Sequence, residues 1–154
     1  MLKDAGVKDF LTGGSFPLEP KTADDLRQMW PGTALEAFGL VLIEVGEEEL
    51  VLEMPIRKEF LQPAGLLHGG ISLFLAESAA SLQACVGVDL RERQPVGIEI
   101  NGSHLRSVGE GRLVATARVI RRSMNLIVHE VMIRHRETGR ELCACRVTNY
   151  YRKG

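Results

Sequence analysis

The residues of this chain best placed to do chemistry fall within one stretch, Gln62 to Ser81, most of which is an apolar run. Glu77 stands in the middle of that run. On a helix its neighbours at i−4, i−3, i+3 and i+4 are Leu73, Phe74, Ala80 and Ser81, so no Lys or Arg on the same helix can pair with it. A carboxylate buried without a partner is costly and titrates high, so it calls for a tertiary ion pair, an exposed helix face or a chemical role. The role would be attack on a carbonyl carbon or activation of water.

His68-Gly69-Gly70 opens the same run, so the helix starts on bare glycine amides that have no intrahelical acceptor. Such a terminus suits an anion or a developing oxyanion. His68 beside it is a donor to a carbonyl oxygen, and Gln62 on the preceding loop can hydrogen-bond as well. Structural roles compete at each position: tight loop-to-helix packing for the glycines, a backbone-satisfied histidine, a surface glutamine. Ser81, one turn beyond Glu77, projects in nearly the same direction and can hold Glu77 or a water. Gly69 and Glu77 are eight residues apart, about 12 Å along one helix at 1.5 Å per residue. A single reacting carbonyl cannot touch both, so a site using both needs two chains.

Other reactive residues carry less. Cys143 and Cys145 share one strand face and read as small core residues, and three cysteines (with Cys85) without CxxC spacing favour a reduced, cytoplasmic setting with no metal site. His129 and His135 lie in an alternating strand without ligand spacing. No GxSxG elbow, Walker loop or GxGxxG is present.

The elements that must position these groups follow from pattern. Thr22-Ala-Asp-Asp offers an N-cap and an acidic first turn for a short helix ending before Pro31-Gly32, with a second turn over Thr33–Phe38. Gly39–Val45 and Leu50–Met54 read as a hairpin with a charged tip. Ile71–Val86 is apolar all round, the pattern of a helix enclosed on most sides. Gln94–Arg106, Arg112–Arg122, Asn125–Arg136 and Glu141–Tyr151 read as strands. Their junctions, Val108-Gly-Glu-Gly111, Arg122-Ser-Met-Asn125 and Glu137-Thr-Gly-Arg140, are read as hairpin turns. The order β-β-helix-β-β-β-β makes an α+β fold with one long helix on an antiparallel sheet. Residues 1–21 are expected as a flexible arm and 22–154 as a single domain.

Length and composition agree with one globular unit: 154 residues, 45% hydrophobic, 25% charged. Nineteen Lys+Arg against twenty Asp+Glu give a net charge of −1, which implies no general attraction to nucleic acid or to an anionic membrane. Gly69–Val88 is a poor membrane span because it holds Glu77, Gln83 and three serines. Charge is uneven along the chain. Glu19–Glu53 has nine acids and two bases, while His104–Ser123 has five arginines and one acid, a basic patch suited to a phosphorylated carrier such as coenzyme A.

The run from Gln62 to Ser81 resembles the signature of hotdog-fold acyl-CoA thioesterases, in the branch with a catalytic glutamate. That branch includes 4-hydroxybenzoyl-CoA thioesterase, 1,4-dihydroxy-2-naphthoyl-CoA hydrolase and the enterobactin proofreading thioesterase. Trp30-Pro-Gly-Thr33, Val96-Gly-Ile-Glu-Ile-Asn101, His104-Leu-Arg-Ser107 and Glu110-Gly111 extend the likeness over about residues 22–151. The resemblance implies a hotdog fold, a curved antiparallel sheet wrapped around one long central helix. It implies Glu77 as nucleophile or general base and the Gly69 amide as the group that polarises the thioester carbonyl. His68 and Gln62 would bind and orient, and Ser81 would position the attacking group. His104, Arg106 and Ser123 fall where such enzymes hold coenzyme A. Met124 departs from the Arg or polar residue expected there, and Arg122 is the substitute.

The implied activity is hydrolysis of an aromatic or bulky acyl-CoA by a homo-oligomer, a dimer of dimers. No cofactor or metal is called for, because coenzyme A is part of the substrate. Two alternatives share the signature: proofreading of an acyl or aryl carrier protein, and a non-catalytic acyl-CoA-binding regulator.

Overall fold

The fold is taken from a computed structural model, in which residues 17–153 are described. Two short helices come first, α1 (Ala23–Arg27) and α2 (Ala34–Ala37). Thr22 caps α1 reciprocally with Asp25: Thr22 Oγ1 accepts from the Asp25 amide at 3.2 Å, and Asp25 Oδ2 accepts from the Thr22 amide at 2.9 Å. Strands β1 (Val41–Val45) and β2 (Glu49–Pro55) form the expected hairpin, closed by the Gly46 amide on the Glu49 carbonyl at 2.8 Å. After a 3₁₀ turn at Lys58–Phe60 come the long helix α3 (Gly69–Cys85) and four strands: β3 (Arg93–His104), β4 (Arg112–Arg122), β5 (Leu126–His135) and β6 (Glu141–Lys153). Of the expected arm, residues 1–16 lie outside the described residues. The carbonyls of Leu18 and Pro20 accept from the Leu90 and Gly87 amides, both at 2.8 Å, which ties this end of the arm to the loop after α3.

All six strands make one antiparallel sheet in the order β1-β2-β4-β5-β6-β3. Alternate residues of β2, β4, β5 and β6 face α3, among them Leu52, Met54, Ala115, Ala117, Val131, Ile133, Cys145 and Val147, all buried. The helix is enclosed as its composition requires: Leu75, Ala76, Ala79, Ala80, Leu82 and Ala84 are buried on several sides. The alanines let the sheet close tightly on it, so truncating a side chain such as Leu75 should cost about 2–5 kcal/mol. Cys85, Cys143 and Cys145 are free thiols in this core. Among the described residues no helix is long and apolar enough to cross a membrane.

One junction differs from expectation. Val108-Gly-Glu-Gly111 does not close a hairpin, because β3 pairs with β6 at the far edge and β4 pairs with β2 and β5. Residues 105–111 instead cross between strands that are not neighbours. They pack on the loop before α3, with the Leu67 amide donating to the Val108 carbonyl at 2.7 Å and the Ile56 amide to the Gly111 carbonyl at 2.9 Å. A glycine-rich turn signal reports a local reversal and not which strands meet across it.

The same topology changes the meaning of the charge segregation. Because β2 lies beside β4, Glu49 pairs with Arg118, and Glu53 with Arg112. Arg136 from the next turn adds a second cation to Glu53 at 3.5 Å. Two of the five arginines are thus neutralised across the sheet by two of the nine acids, which removes part of the expected basic patch.

Candidate active site

Helix α3 starts on His68, whose backbone is extended (φ −66°, ψ 127°) and whose Nδ1 accepts from the Gly70 amide at 3.0 Å. A ring nitrogen that accepts holds no proton, so the proton of neutral His68 is on Nε2, where it can be donated away from the helix. Gly70 is thus capped. The Gly69 amide has no partner among the described residues, leaving it as the donor at this terminus. His104 at the end of β3 lies against the Cα of Gly69, where an added Cβ would be 2.6 Å from Nε2 of the ring. Gln62 uses Oε1 to accept from the Ala64 amide at 2.7 Å, which holds its loop in a turn and leaves its NH2 as donor. Gln62, Gly69, Ser72, His104 and Arg106 line one cavity of about 300 Å³. Arg106 donates to the Glu141 carbonyl at 3.0 Å.

Glu77, two turns further on, opens into another cavity of about 360 Å³, with Ser81 on its wall and Met29, Leu35, Phe74 and Pro95 around it. Its carboxylate rests on Gly97 of β3, at a place where any side chain would collide with Oε1. In the single chain Glu77 stands on an exposed helix face, one of the readings open from sequence, and has no hydrogen-bond or ion-pair partner among the described residues. Of the readings open from sequence, the tertiary ion pair is therefore not formed among the described residues. The walls are largely apolar, continued behind Phe74 by Phe38 (ring centroids 4.4 Å apart) and Phe60 (4.9 Å from Phe38). Such a cavity accepts an apolar group and sets a carboxylate beside it.

Within one protomer the structure brings Gln62, Gly69, His104 and Arg106 together, with His68 adjoining as the helix cap, and places Glu77 and Ser81 apart from them. Arg122 and Ser123 lie elsewhere, toward the other end of α3. Arg122 spends its guanidinium on the Glu47 carbonyl (2.9 Å), Gln83 Oε1 (3.4 Å) and the Tyr151 hydroxyl (3.4 Å). Ser123 Oγ accepts from the Leu126 amide and donates to its carbonyl, both at 3.0 Å, and so stabilises the β4–β5 turn. Sequence reasoning passed over three site residues: Gly97, Asn149, and Met29 from the segment after α1. A glycine inside a strand and an asparagine on the inward side of Val147-Thr-Asn-Tyr-Tyr151 were the available signals. Met29 had none.

Gln83 anchors this end of the helix. Its NH2 donates to the carbonyls of Gly46 (3.2 Å) and Glu47 (2.6 Å), so Oε1 faces His129 Nε2 at 2.8 Å and that nitrogen carries the proton. Burial, assisted by nearby Arg122, pushes the His129 pKa down to about 4. The unfolded chain takes up this proton near pH 6.5 and the native one only near 4, so stability is complete above about 6.5 and declines between those values. We expect this one group to remove up to about 3 kcal/mol across that interval. Denaturant melts of the parent and His129→Asn, taken from pH 7 to 4.5, should show a shallower decline for the variant. Parallel curves would contradict this.

Comparison with known proteins places this geometry. Residues 64–142 match the family model of the Thioesterase superfamily. A 1,4-dihydroxy-2-naphthoyl-CoA hydrolase of Listeria monocytogenes is 36% identical over 113 residues, covering 73% of this chain and 90% of its own. Among solved structures, a mutant thioesterase of Pseudomonas aeruginosa superposes with TM-score 0.82 at 29% identity, covering 90% of this chain and all of its own. A Staphylococcus aureus thioesterase, 30–31% identical with TM-scores of 0.77 and 0.74 over 79% and 78% of this chain, has been solved as a Glu→Ala and as a Gln→Ala variant. Its two altered positions are fifteen apart, the interval from Gln62 to Glu77 here. The six-stranded sheet around a central helix is the hotdog fold of these relatives.

Proposed function

Because this chain belongs to the thioesterase superfamily and is a thioester hydrolase, we propose that it cleaves an aromatic or otherwise bulky acyl-CoA to free acid and coenzyme A. The observation that carries this reading is the exposed carboxylate of Glu77, unpaired among the described residues, on the wall of an apolar cavity. Glu77 attacks the thioester carbonyl carbon or takes a proton from an attacking water. Either way the carbonyl oxygen gains negative charge, which the Gly69 amide and the α3 terminus stabilise. The C–S bond then breaks and coenzyme A leaves as thiolate. If Glu77 has attacked directly, water hydrolyses the resulting anhydride and restores the carboxylate. His68 donates from Nε2, Gln62 orients the acyl carbonyl, and Ser81 positions the attacking group. His104 and Arg106 receive the coenzyme A chain. The Gln–Glu interval shared with the Staphylococcus aureus variants supports the assignment of Gln62 and Glu77.

The working enzyme is a homo-oligomer, a dimer of dimers, active in the cytoplasm. Gly69 and Glu77 open into different cavities, so a complete site takes each from a different protomer. Among the described residues the outer edge of β3 carries no strand, and it exposes Val96 and Ile98, the latter at 57%, an edge suited to a second copy. Ile98→Arg should yield monomers by light scattering and lose about 100-fold in turnover, since a charge on an edge strand opposes pairing. Active monomers would contradict a shared site.

A thiol-release assay over aryl-, phenylacetyl- and straight-chain acyl-CoA substrates tests the substrate class, with the preferred acyl group offered in parallel on a carrier protein. Preference for bulky or aromatic CoA esters is expected. Preference for straight chains, or turnover on the carrier alone, would overturn the proposal.

A further inference from the structure

Asn149 lies in the inward row of β6 between Val147 and Tyr151 and is fully buried. Its Nδ2 donates to Ser81 Oγ at 2.9 Å. Across the ladder it faces Gly97, the residue on which the Glu77 carboxylate rests, beside a bulge between Gly97 and Glu99. Asn149, Ser81 and Glu77 therefore converge from a strand and two successive helical turns. We infer that Asn149 is a positioning residue for thioester hydrolysis, which turns the Ser81 hydroxyl hydrogen into the cavity shared with Glu77. The inference rests on the proposed role of Glu77.

The argument turns on one hydrogen. A serine hydroxyl has one hydrogen and two lone pairs, and Asn149 occupies a lone pair. The usual outlet for the hydrogen of a helical serine is the carbonyl four residues back, which Ser78 uses on Phe74 at 2.7 Å. Ser81 makes no such bond to the Glu77 carbonyl among the described residues, so its hydrogen is left for the cavity side. There it donates to the Glu77 carboxylate or to the water that Glu77 activates.

Packing alone does not explain the asparagine. Its Oδ1 is buried without a partner among the described residues, as is His129 Nδ1, which accepts because Nε2 holds the proton. An unpaired buried acceptor costs about 1–3 kcal/mol, and a leucine of similar size would avoid that cost.

This predicts a separation between stability and activity. Asn149→Leu should lower kcat about tenfold, the worth of one oriented hydrogen bond, with KM within about twofold and a melting temperature no lower than the parent's. Ser81→Ala should lose a similar factor, and the double variant no more than Ser81→Ala alone, because both changes remove the same donor. Asn149→Asp keeps the shape but cannot donate while ionised. Measured relative to the parent at each pH, it should regain activity as the pH falls and the carboxyl gains a hydrogen, a check that holds even if the leucine variant folds poorly.

Full kcat in Asn149→Leu, losses that multiply in the double variant, or a pH-independent deficit in Asn149→Asp would overturn the inference. Glu77→Gln run alongside separates the two ideas. If it retains turnover, the role of Glu77 fails; if it is inactive while Asn149→Leu keeps the parental kcat, only the role of Asn149 fails.

Discussion

Glu77→Gln should reduce thioester hydrolysis by about two to three orders of magnitude in kcat while leaving KM for the acyl-CoA within a few-fold. The substitution keeps size and hydrogen-bonding reach and removes the charge, which is what both nucleophilic attack and water activation need. Little else in the protomer depends on that charge. Glu77 has no ion-pair partner among the described residues, and its carboxylate rests on Gly97, so the variant should melt with the parent. Steady-state kinetics with a thiol reagent, together with substrate binding by calorimetry, provides the check. A variant that binds substrate and still turns over within tenfold of the parent would move the chemistry away from Glu77.

The second large effect is expected at the other end of the site, and Gly69→Pro isolates it. Proline is tolerated at the first position of a helix, and His68 is already in the extended conformation that a following proline requires. The substitution therefore removes the amide hydrogen without breaking the helix. Its Cβ would crowd the exposed His104 ring, but Gly69→Ala crowds that ring equally and keeps the amide, and so serves as the control. Loss of one oxyanion donor costs about 100- to 1,000-fold in kcat, so the proline variant should fall by that factor below the alanine variant. Equal activity of the two would show that the amide is not the polarising group.

Mixing these two inactive chains tests the sharing of the site. If each site draws Glu77 from one protomer and Gly69 from its partner, a mixed dimer holds one intact site and one doubly damaged site. Random exchange of Glu77→Gln and Gly69→Pro protomers should then restore about a quarter of parental activity. No recovery, with exchange demonstrated by mass, would place both groups of a site in one chain.

Much of this was legible in the residues. An apolar run long enough for more than four helical turns, with no amphipathic stripe, could only be a helix enclosed by something. The strand-like runs before and after it were the material to enclose it. Glu77 stood out because a charge in that run had no partner at helical spacing, and the exposed position on the cavity wall explains how the fold tolerates it. The paired glycines after His68 marked the helix start, although one of the two amides proved to be capped by the histidine itself.

What resisted was everything that depends on which strands are neighbours. The turn-like Val108–Gly111 concealed a crossover, and the five arginines of His104–Ser123 seemed free for phosphate while two of them face glutamates on β2. Arg122 was read as a ligand group and is held by Glu47, Gln83 and Tyr151. Asn149 reaches Ser81 across 68 positions of sequence, a distance over which no periodicity carries information. Local spacing determined the helix, its terminus and the lone carboxylate, because those depend on residues three or four apart. Strand order, charge pairing and the hydrogen bond that aims Ser81 were decided by tertiary structure, because each joins groups that only the closing of the sheet around the helix brings within reach.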